Sequence, residues 1–261
     1  MANYSDIKGF TVQTLSTDTI ANQAAGGTWA SGGNMNSGKY AGIGGAGTQT
    51  AGLAFAGANP AGVAVATNES YDGSSWTELA DLNTAKSMLG STGQSPYTAA
   101  FGFGGDRPGG FTDTAETWNG SSWTEVADLN TPKGYRSGAG SSTAALATGG
   151  YPPTGNTESW NGSAWTEVAD LNSGRGYLPD NGGANTSAIV AGGYTTTYVA
   201  NTETFNGSSW TEVADLSGAK GWGGSFGIQS ALAYFGGTPP TGTTATEEFT
   251  ASLANKTITT S

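Results

Sequence analysis

The side chains that could do chemistry here are carboxylates, amines and phenols, because the 261 residues include no His and no Cys. Hydrolysis through a Ser or Cys nucleophile with a His base is therefore excluded. Zinc catalysis, which relies on His and Cys ligands, is not expected either. Carboxylate pairs could serve a glycosidase, and Asp106, Asp113 and Asp180 lie outside the repeated text. No motif brings two of them together, so we predict no enzymatic activity, no cofactor and no metal site.

Two charged positions recur at fixed distances from a series of tryptophans. A base stands ten residues after each Trp, and an acid stands seven residues before it in four copies. The bases are Lys39, Lys86, Lys133, Arg175 and Lys220, and the acids are Glu69, Glu116, Glu158 and Glu203, with Glu247 in the same place near the C-terminus. We interpret them as a structural device in which each base pairs with an acid or with loop carbonyls. The alternative is a polar ring that receives an anionic partner.

The tryptophans themselves mark an internal repeat of 42 to 47 residues, and they are Trp29, Trp76, Trp123, Trp165 and Trp210. A period this long, with a glycine pair after a short apolar run, is typical of propeller blades, which bury their faces against their neighbours. Because a Trp recurs in every copy, we predict that these side chains pack in the core.

One copy of the repeat contains four short strands. From Ser137 the sequence runs SGAGSS, AALATGG, TESWNG and SAWTEVADL. Asn161-Gly162 separates the last two strands, and this dipeptide predicts a two-residue type I′ hairpin. Small residues fill the first strand of each copy, because the innermost strands of a narrow propeller crowd the axis.

Counting the apolar strands that end in Gly gives five blades. The last of them is followed by EEFTAS but by no Trp, whereas Trp29 has no apolar strand before it. We therefore predict an all-β, five-bladed propeller of four-stranded antiparallel blades, with the ring closed between the N- and C-terminal strands. Residues 1–261 form one domain in this prediction, with an extension at 1–19, repeats at 20–252 and a C-terminal strand at 253–261.

The variable loops of the repeat indicate where binding would occur. Since successive strands are antiparallel, the links from second to third strand and from each blade to the next emerge on one face. The second-to-third links differ in length and sequence, and they carry Arg107, Tyr151, Tyr194 and Tyr198. Varied loops on a repetitive scaffold are a usual place for recognition, so we predict that these four residues bind a partner. Drift of unconstrained loops is the alternative.

The order of an apolar run, Gly-Gly, an aromatic residue and Trp resembles the kelch motif. The match is AALATGG, Trp160 and Trp165 with their equivalents over residues 20–252. This resemblance implies a propeller of four-stranded blades. The nearly identical copies of NGSSWTEVADLNT are also similar to repeat proteins of bacteriophages of aquatic bacteria, which implies a virion surface or tail component.

Net charge and the N-terminal sequence narrow the setting. A net charge of −11 argues against nucleic acid as a partner, and the start of the chain lacks the basic and apolar regions of a signal peptide. Nothing in the sequence suggests membrane insertion. We predict a non-catalytic virion component (tail, fibre or capsid decoration) that mediates attachment, with virion proteins or a host-surface glycan or protein as partners. The alternatives are a lectin-like carbohydrate-binding module and an intracellular peptide-binding scaffold.

Overall fold

The computed structural model describes residues 31–39, 41–93, 95–180, 182–238 and 244–251. Contacts divide the chain into two compact units, Met1–Gly32 and Gly33–Ser261, and all described strands belong to the second. These strands form a five-bladed β-propeller with antiparallel blades, as the sequence predicted. Alternating small and apolar residues in short runs, separated by Gly-rich links, account for this all-β architecture.

The first two blades differ by one inserted hairpin. Blade 1 contains β1 (Gly44–Thr48), β2 (Ala51–Phe55), β3 (Asn68–Tyr71) and β4 (Trp76–Glu78). Blade 2 contains β5 (Gly90–Ser91), β6 (Phe101–Phe103), β9 (Ala115–Trp118) and β10 (Trp123–Val126), and its second-to-third link forms a separate hairpin of β7 (Asp106–Arg107) and β8 (Gly110–Phe111).

The remaining blades follow the same order from the inner strand outwards. Blade 3 contains β11 (Ser137–Ser141), β12 (Ala144–Thr148), β13 (Thr157–Trp160) and β14 (Trp165–Glu167). Blade 4 contains β15 (Gly182–Ala184), β16 (Ser187–Ala191), β17 (Thr202–Phe205) and β18 (Trp210–Glu212). Blade 5 shows three strands within the described chain, β19 (Gly224–Ile228), β20 (Ala231–Phe235) and β21 (Thr246–Thr250).

The predicted fourth strand of blade 5, around Trp29, lies outside the described residues, as do the segments 1–19 and 253–261. The residues just after that strand are described. The Trp76 indole donates to the carbonyl of Gly33 (3.1 Å), and the Asn36 amide nitrogen donates to Glu69 (2.7 Å). The corresponding bonds between blades 3 and 4 join Trp210 to Ala169 and Asn172 to Glu203. Residues 33–37 therefore contact blade 1 in the same way that the end of one blade contacts the next.

The turns between third and fourth strands differ from the predicted type I′ hairpin. Trp160 pairs with Trp165, so four residues form the loop, and Gly162 has a positive φ of 95° whereas Asn161 does not. The Asn161 side-chain oxygen accepts the amides of Ser163 and Ala164, both at 3.0 Å. This side chain caps the loop and stabilises a longer turn than the dipeptide rule predicts, because Asn can replace a backbone acceptor.

Neighbouring blades pack through four apolar clusters, each shared by two adjacent blades. Phe55 of blade 1 lies 4.7 Å from Trp123 of blade 2, and Phe103 lies 5.1 Å from Trp165, measured between ring centroids. Trp123, Trp165 and Trp210 are buried, whereas Trp76 is half-buried. The recurring Trp thus carries much of the blade-to-blade contact, since buried aromatic rings dominate core energetics.

Candidate binding surface

Five equivalent residues surround the mouth of the central channel, each shortly before an inner strand. Their φ angles are 59° for Gly42, 52° for Met88, 58° for Tyr135, 55° for Tyr177 and 60° for Trp222. A positive φ is unfavourable for a residue with a side chain, so the surroundings must hold it. The backbone does so: Met88 N donates to Gly42 O, Tyr135 N to Met88 O, and Trp222 N to Tyr177 O. We call these five residues the collar.

Three collar side chains form the centre of an aromatic cluster. Tyr177 stacks on Trp222, with ring centroids 4.6 Å apart and planes inclined by 19°. It also stacks on Tyr151, at 5.3 Å and 13°. Tyr135 meets Tyr151, Tyr177 and Trp222 edge to face, at interplanar angles of 75°, 87° and 84°. Offset-stacked and edge-to-face contacts are the favourable arrangements of aromatic rings, so the cluster is well ordered by its own packing.

The second-to-third links extend this cluster across the face. Tyr194 lies 5.3 Å from Tyr177, and Tyr198 lies 5.3 Å from Tyr194. Phe111, at the end of β8, meets Tyr135 at 6.1 Å and Tyr151 at 6.3 Å. We call the whole set the aromatic face; it comprises Phe111, Tyr135, Tyr151, Tyr177, Tyr194, Tyr198 and Trp222. All seven side chains are partly or largely exposed, and 43% of the Trp222 surface is accessible.

Three of the four predicted binding residues lie in the aromatic face, and the fourth lies in a separate hairpin. Tyr151, Tyr194 and Tyr198 meet in the aromatic face through Tyr177. Arg107 lies at the tip of the β7–β8 hairpin, where it lines a shallow depression together with Val63 of blade 1. Sequence reasoning missed Phe111 and the three aromatic collar residues. A signal was present, because the sequences KGY, RGY and KGW place each of those collar residues two positions after a base of the repeat.

The recurring charges connect neighbouring blades, and we call the set of hydrogen bonds and ion pairs around each recurring acid a latch. Between blades 1 and 2, the backbone and side-chain nitrogens of Asn83 both donate to one oxygen of Glu116, at 2.7 and 3.0 Å. Lys86 Nζ lies 3.2 Å from the other oxygen. Similar ion pairs join Arg175 to Glu203 and Lys220 to Glu247. The acids at Glu69, Glu116, Glu158 and Glu203 are fully buried, so their bonds are shielded from solvent screening.

One acid takes its base from outside the predicted series, and one base of the series binds carbonyl oxygens, the alternative that the prediction allowed. Glu158 pairs with Arg136, at 3.2 Å, and not with Lys133, which stands ten residues after Trp123. Arg136 directly follows the collar residue Tyr135, and its longer side chain reaches the same carboxylate from the inner strand. Lys39 in turn donates to the carbonyl oxygens of Ala54 (3.3 Å) and Thr67 (3.1 Å). Burial lowers the pKa of Lys39, while the nearby charge of Glu69 opposes that shift.

Asp180 lies in the central channel, in the cavity that the collar residues also line. Its carboxylate accepts the Ser91 hydroxyl at 2.6 Å, the Ser91 amide at 3.3 Å and the Gly138 amide at 3.1 Å. The Asp180 carbonyl accepts a bond from the Ser225 hydroxyl. Residues of blades 2, 3, 4 and 5 therefore meet at Asp180. Burial raises its pKa to about 6, although the three donated hydrogen bonds act in the opposite direction.

The part of the chain that the structure describes contains no group of three or more side chains suited to hold a metal ion. It also contains no helix with the length and hydrophobicity that a membrane crossing needs. No protein-family model matches the sequence, and no curated protein is significantly similar to it. The fold and the geometry of the aromatic face thus carry the functional argument.

Proposed function

We propose that this protein is a non-catalytic binding propeller that contacts its partner through the aromatic face. The observation that carries the proposal is the continuous ring-to-ring contact from Phe111 to Tyr198 on the face of the variable loops. Clustered, partly exposed aromatic residues on a rigid scaffold are typical of recognition surfaces. The collar fixes the centre of this surface through backbone hydrogen bonds, so little ordering is required when a partner binds.

The absence of His and Cys from the sequence supports a role without catalysis. Asp180 is the acid whose pKa burial raises, and its carboxylate accepts hydrogen bonds from Ser91 and Gly138. Neither of these partners is a second carboxylate. A glycosidase requires two carboxylates on either side of the scissile bond. The described arrangement around Asp180 fits a structural and binding role better than this chemistry.

For the biological setting we propose the surface of a virion, as a tail, fibre or capsid-decorating component that mediates attachment. The resemblance of the nearly identical repeats to virion proteins of aquatic bacteriophages supports this setting. The predicted closure of the ring between the N- and C-terminal strands would also suit a particle surface, because a closed ring offers few open strand edges. The partners would be other virion proteins or a molecule of the host surface.

A host-surface carbohydrate is the partner class that one observation favours. Trp222 stacks on Tyr177 and still exposes 43% of its surface at the channel mouth. Aromatic rings with an exposed apolar face and a nearby polar group are suited to the apolar faces and hydroxyls of sugars. The hydroxyls of Tyr177, Tyr194 and Tyr198 lie within the same cluster and supply such polar groups.

A glycan array tests the proposal with a surface variant and a matched control. Combined replacement of Tyr151, Tyr194 and Tyr198 by Ala is expected to lower binding at least about tenfold, since stacked contacts are worth about 0.5 to 1.5 kcal/mol each. Tyr97→Ala is the control, because Tyr97 is also exposed (39%) but lies in the first-to-second link at the opposite face. Equal binding by the triple variant and the wild type would refute the aromatic face as the binding surface. Mass spectrometry of purified particles tests the virion setting separately.

A further inference from the structure

The mouth of the channel opens into a cavity of about 330 Å³. Tyr135, Tyr177, Trp222 and Met88 of the collar line it together with Asp180 and Ser225. This volume lies at the lower end of the range for small-molecule sites. Asp180 and Ser225 also line a second cavity, of about 440 Å³, that extends along strands β1 and β19. The Asp180 side chain therefore stands between two spaces on the propeller axis.

Asp180 is a carboxylate without a cationic partner within the described residues. Glu116, Glu158 and Glu203, which are buried at blade junctions, each form an ion pair with a Lys or Arg nitrogen. Arg136 lines the same cavity, but its guanidinium is paired with Glu158. A charged group in a low-dielectric site is costly unless an opposite charge compensates it. The hydrogen bonds from Ser91 and Gly138 reduce this cost but add no positive charge.

The rest of the cavity suits an organic cation. Aromatic rings attract cations through the negative potential of their faces, most strongly when water is excluded. The net charge of −11 adds a long-range attraction for positive ligands. A neutral sugar would find the same aromatic rings but would leave the charge of Asp180 uncompensated.

We propose that this cavity binds a small organic ammonium ion, with Asp180 as its counter-ion and the rings of Tyr135, Tyr177 and Trp222 against its methyl or methylene groups. The site shares the rings of Tyr135, Tyr177 and Trp222 with the aromatic face and adds Asp180, so it goes beyond the attachment surface proposed above. The two tests remain distinguishable, because one changes Asp180 in the channel and the other changes Tyr151, Tyr194 and Tyr198 on the outer loops.

Calorimetric titration with tetramethylammonium tests the proposal, with tert-butanol as a neutral probe of similar shape. The wild type is expected to bind tetramethylammonium and to bind tert-butanol at least about tenfold more weakly. Asp180→Asn should weaken tetramethylammonium binding by about tenfold or more. Asp106→Asn is the matched control, because Asp106 lies in the β7–β8 hairpin and lines a different depression. This variant should bind tetramethylammonium as tightly as the wild type does.

A second measurement uses only the wild-type protein. With an Asp180 pKa of about 6, affinity should fall about tenfold between pH 7.5 and pH 5 as the carboxylate takes up a proton. The other titratable groups that line the cavity are Tyr135, Tyr177 and Arg136. The ordinary pKa values of Tyr and Arg lie well above this range, and burial raises the pKa of Tyr177 further.

Variants of Trp222 test the contribution of the aromatic rings. Trp222→Phe should retain most of the affinity for tetramethylammonium, whereas Trp222→Ala should lose about fivefold.

The proposal is overturned if the folded wild type binds neither probe, or if it binds tert-butanol as tightly as tetramethylammonium. Unchanged affinity in Asp180→Asn, or an affinity that does not vary between pH 5 and pH 7.5, would overturn it equally. Loss of glycan binding in the outer tyrosine variant has no bearing on these outcomes.

Discussion

At the scale of single residues, the buried carboxylates are what join one blade to the next. One oxygen of Glu158 accepts hydrogen bonds from the backbone and side-chain nitrogens of Asn130, at 2.7 and 2.9 Å. The other oxygen of Glu158 pairs with Arg136. Removing one partner from a buried ion pair leaves the other charge uncompensated, and this is more costly than losing an exposed pair. The base that contacts the buried acid therefore contributes more to stability than the base that stands ten residues after the Trp.

The link between blades 2 and 3 offers a test, because it contains two candidate bases. Arg136→Ala should lower the free energy of unfolding by about 3 to 5 kcal/mol, since it removes the buried partner of Glu158. Lys133→Ala should cost less than about 1 kcal/mol, because Lys133 is only half-buried. Denaturant unfolding of both variants measures the difference. A larger loss in Lys133→Ala than in Arg136→Ala would contradict the assigned pairing.

At the scale of elements, the inner strands depend on residues without side chains. A Cβ added to Gly138 on β11 would lie 2.2 Å from the carbonyl oxygen of Ser91 on β5. One added to Gly182 on β15 would lie 3.1 Å from the carbonyl oxygen of Gly227 on β19. These neighbouring inner strands therefore approach each other more closely than strands with ordinary side chains could.

Gly138→Ala should consequently destabilise the protein by about 1 to 3 kcal/mol, because the backbone of β5 must move. Gly45→Ala on β1 is the matched control, since the nearest atom to its added Cβ lies 3.8 Å away. Its stability should change by less than about 0.5 kcal/mol. Thermal and denaturant melts of the two variants give the comparison, and equal losses would argue against the close approach at Gly138.

Repeat spacing, glycine placement and strand alternation were enough to predict the five blades, because these features follow from local periodicity. The turn at Asn161 was mispredicted, since a side-chain cap can stabilise a longer loop that the dipeptide does not reveal. Three of the predicted surface residues, Tyr151, Tyr194 and Tyr198, do lie in the aromatic face, but the contacts of Tyr151 and Tyr194 with Tyr177 depend on the positive φ of the collar. Neighbouring blades hold that backbone conformation through hydrogen bonds, so the triplets KGY, RGY and KGW mark the collar positions in the sequence without revealing their contacts.

At the scale of the whole molecule, the link that leads into blade 1 repeats the bonds of the links between blades. In that link, Asn36 donates to Glu69 and to the carbonyl oxygen of Trp76. Asn83 makes the same bonds to Glu116 and Trp123 in the link between blades 1 and 2. Each asparagine precedes an inner strand in a continuous chain, so the two positions are structurally equivalent.

Asn36→Ala and Asn83→Ala should therefore lower the free energy of unfolding by similar amounts. Both variants lose side-chain bonds, one of them to a carboxylate, which corresponds to about 1.5 to 3 kcal/mol. Denaturant unfolding of the two variants measures the losses. A loss below about 0.5 kcal/mol in one variant, beside the full loss in the other, would contradict the equivalence of the two links.

The collar has a consequence for how such a protein can diversify. Its geometry is held by main-chain groups, and Gly, Met, Tyr and Trp all occupy it in this one chain. Each blade contributes one collar residue, and a nearly unchanged copy of NGSSWTEVADLN stands between successive collar residues. Gene conversion between these copies would exchange a collar residue and its loops while keeping the number of blades at five. A lineage could thereby reshuffle the residues at the channel mouth in single genetic events, and acquire new specificities while every intermediate still folds.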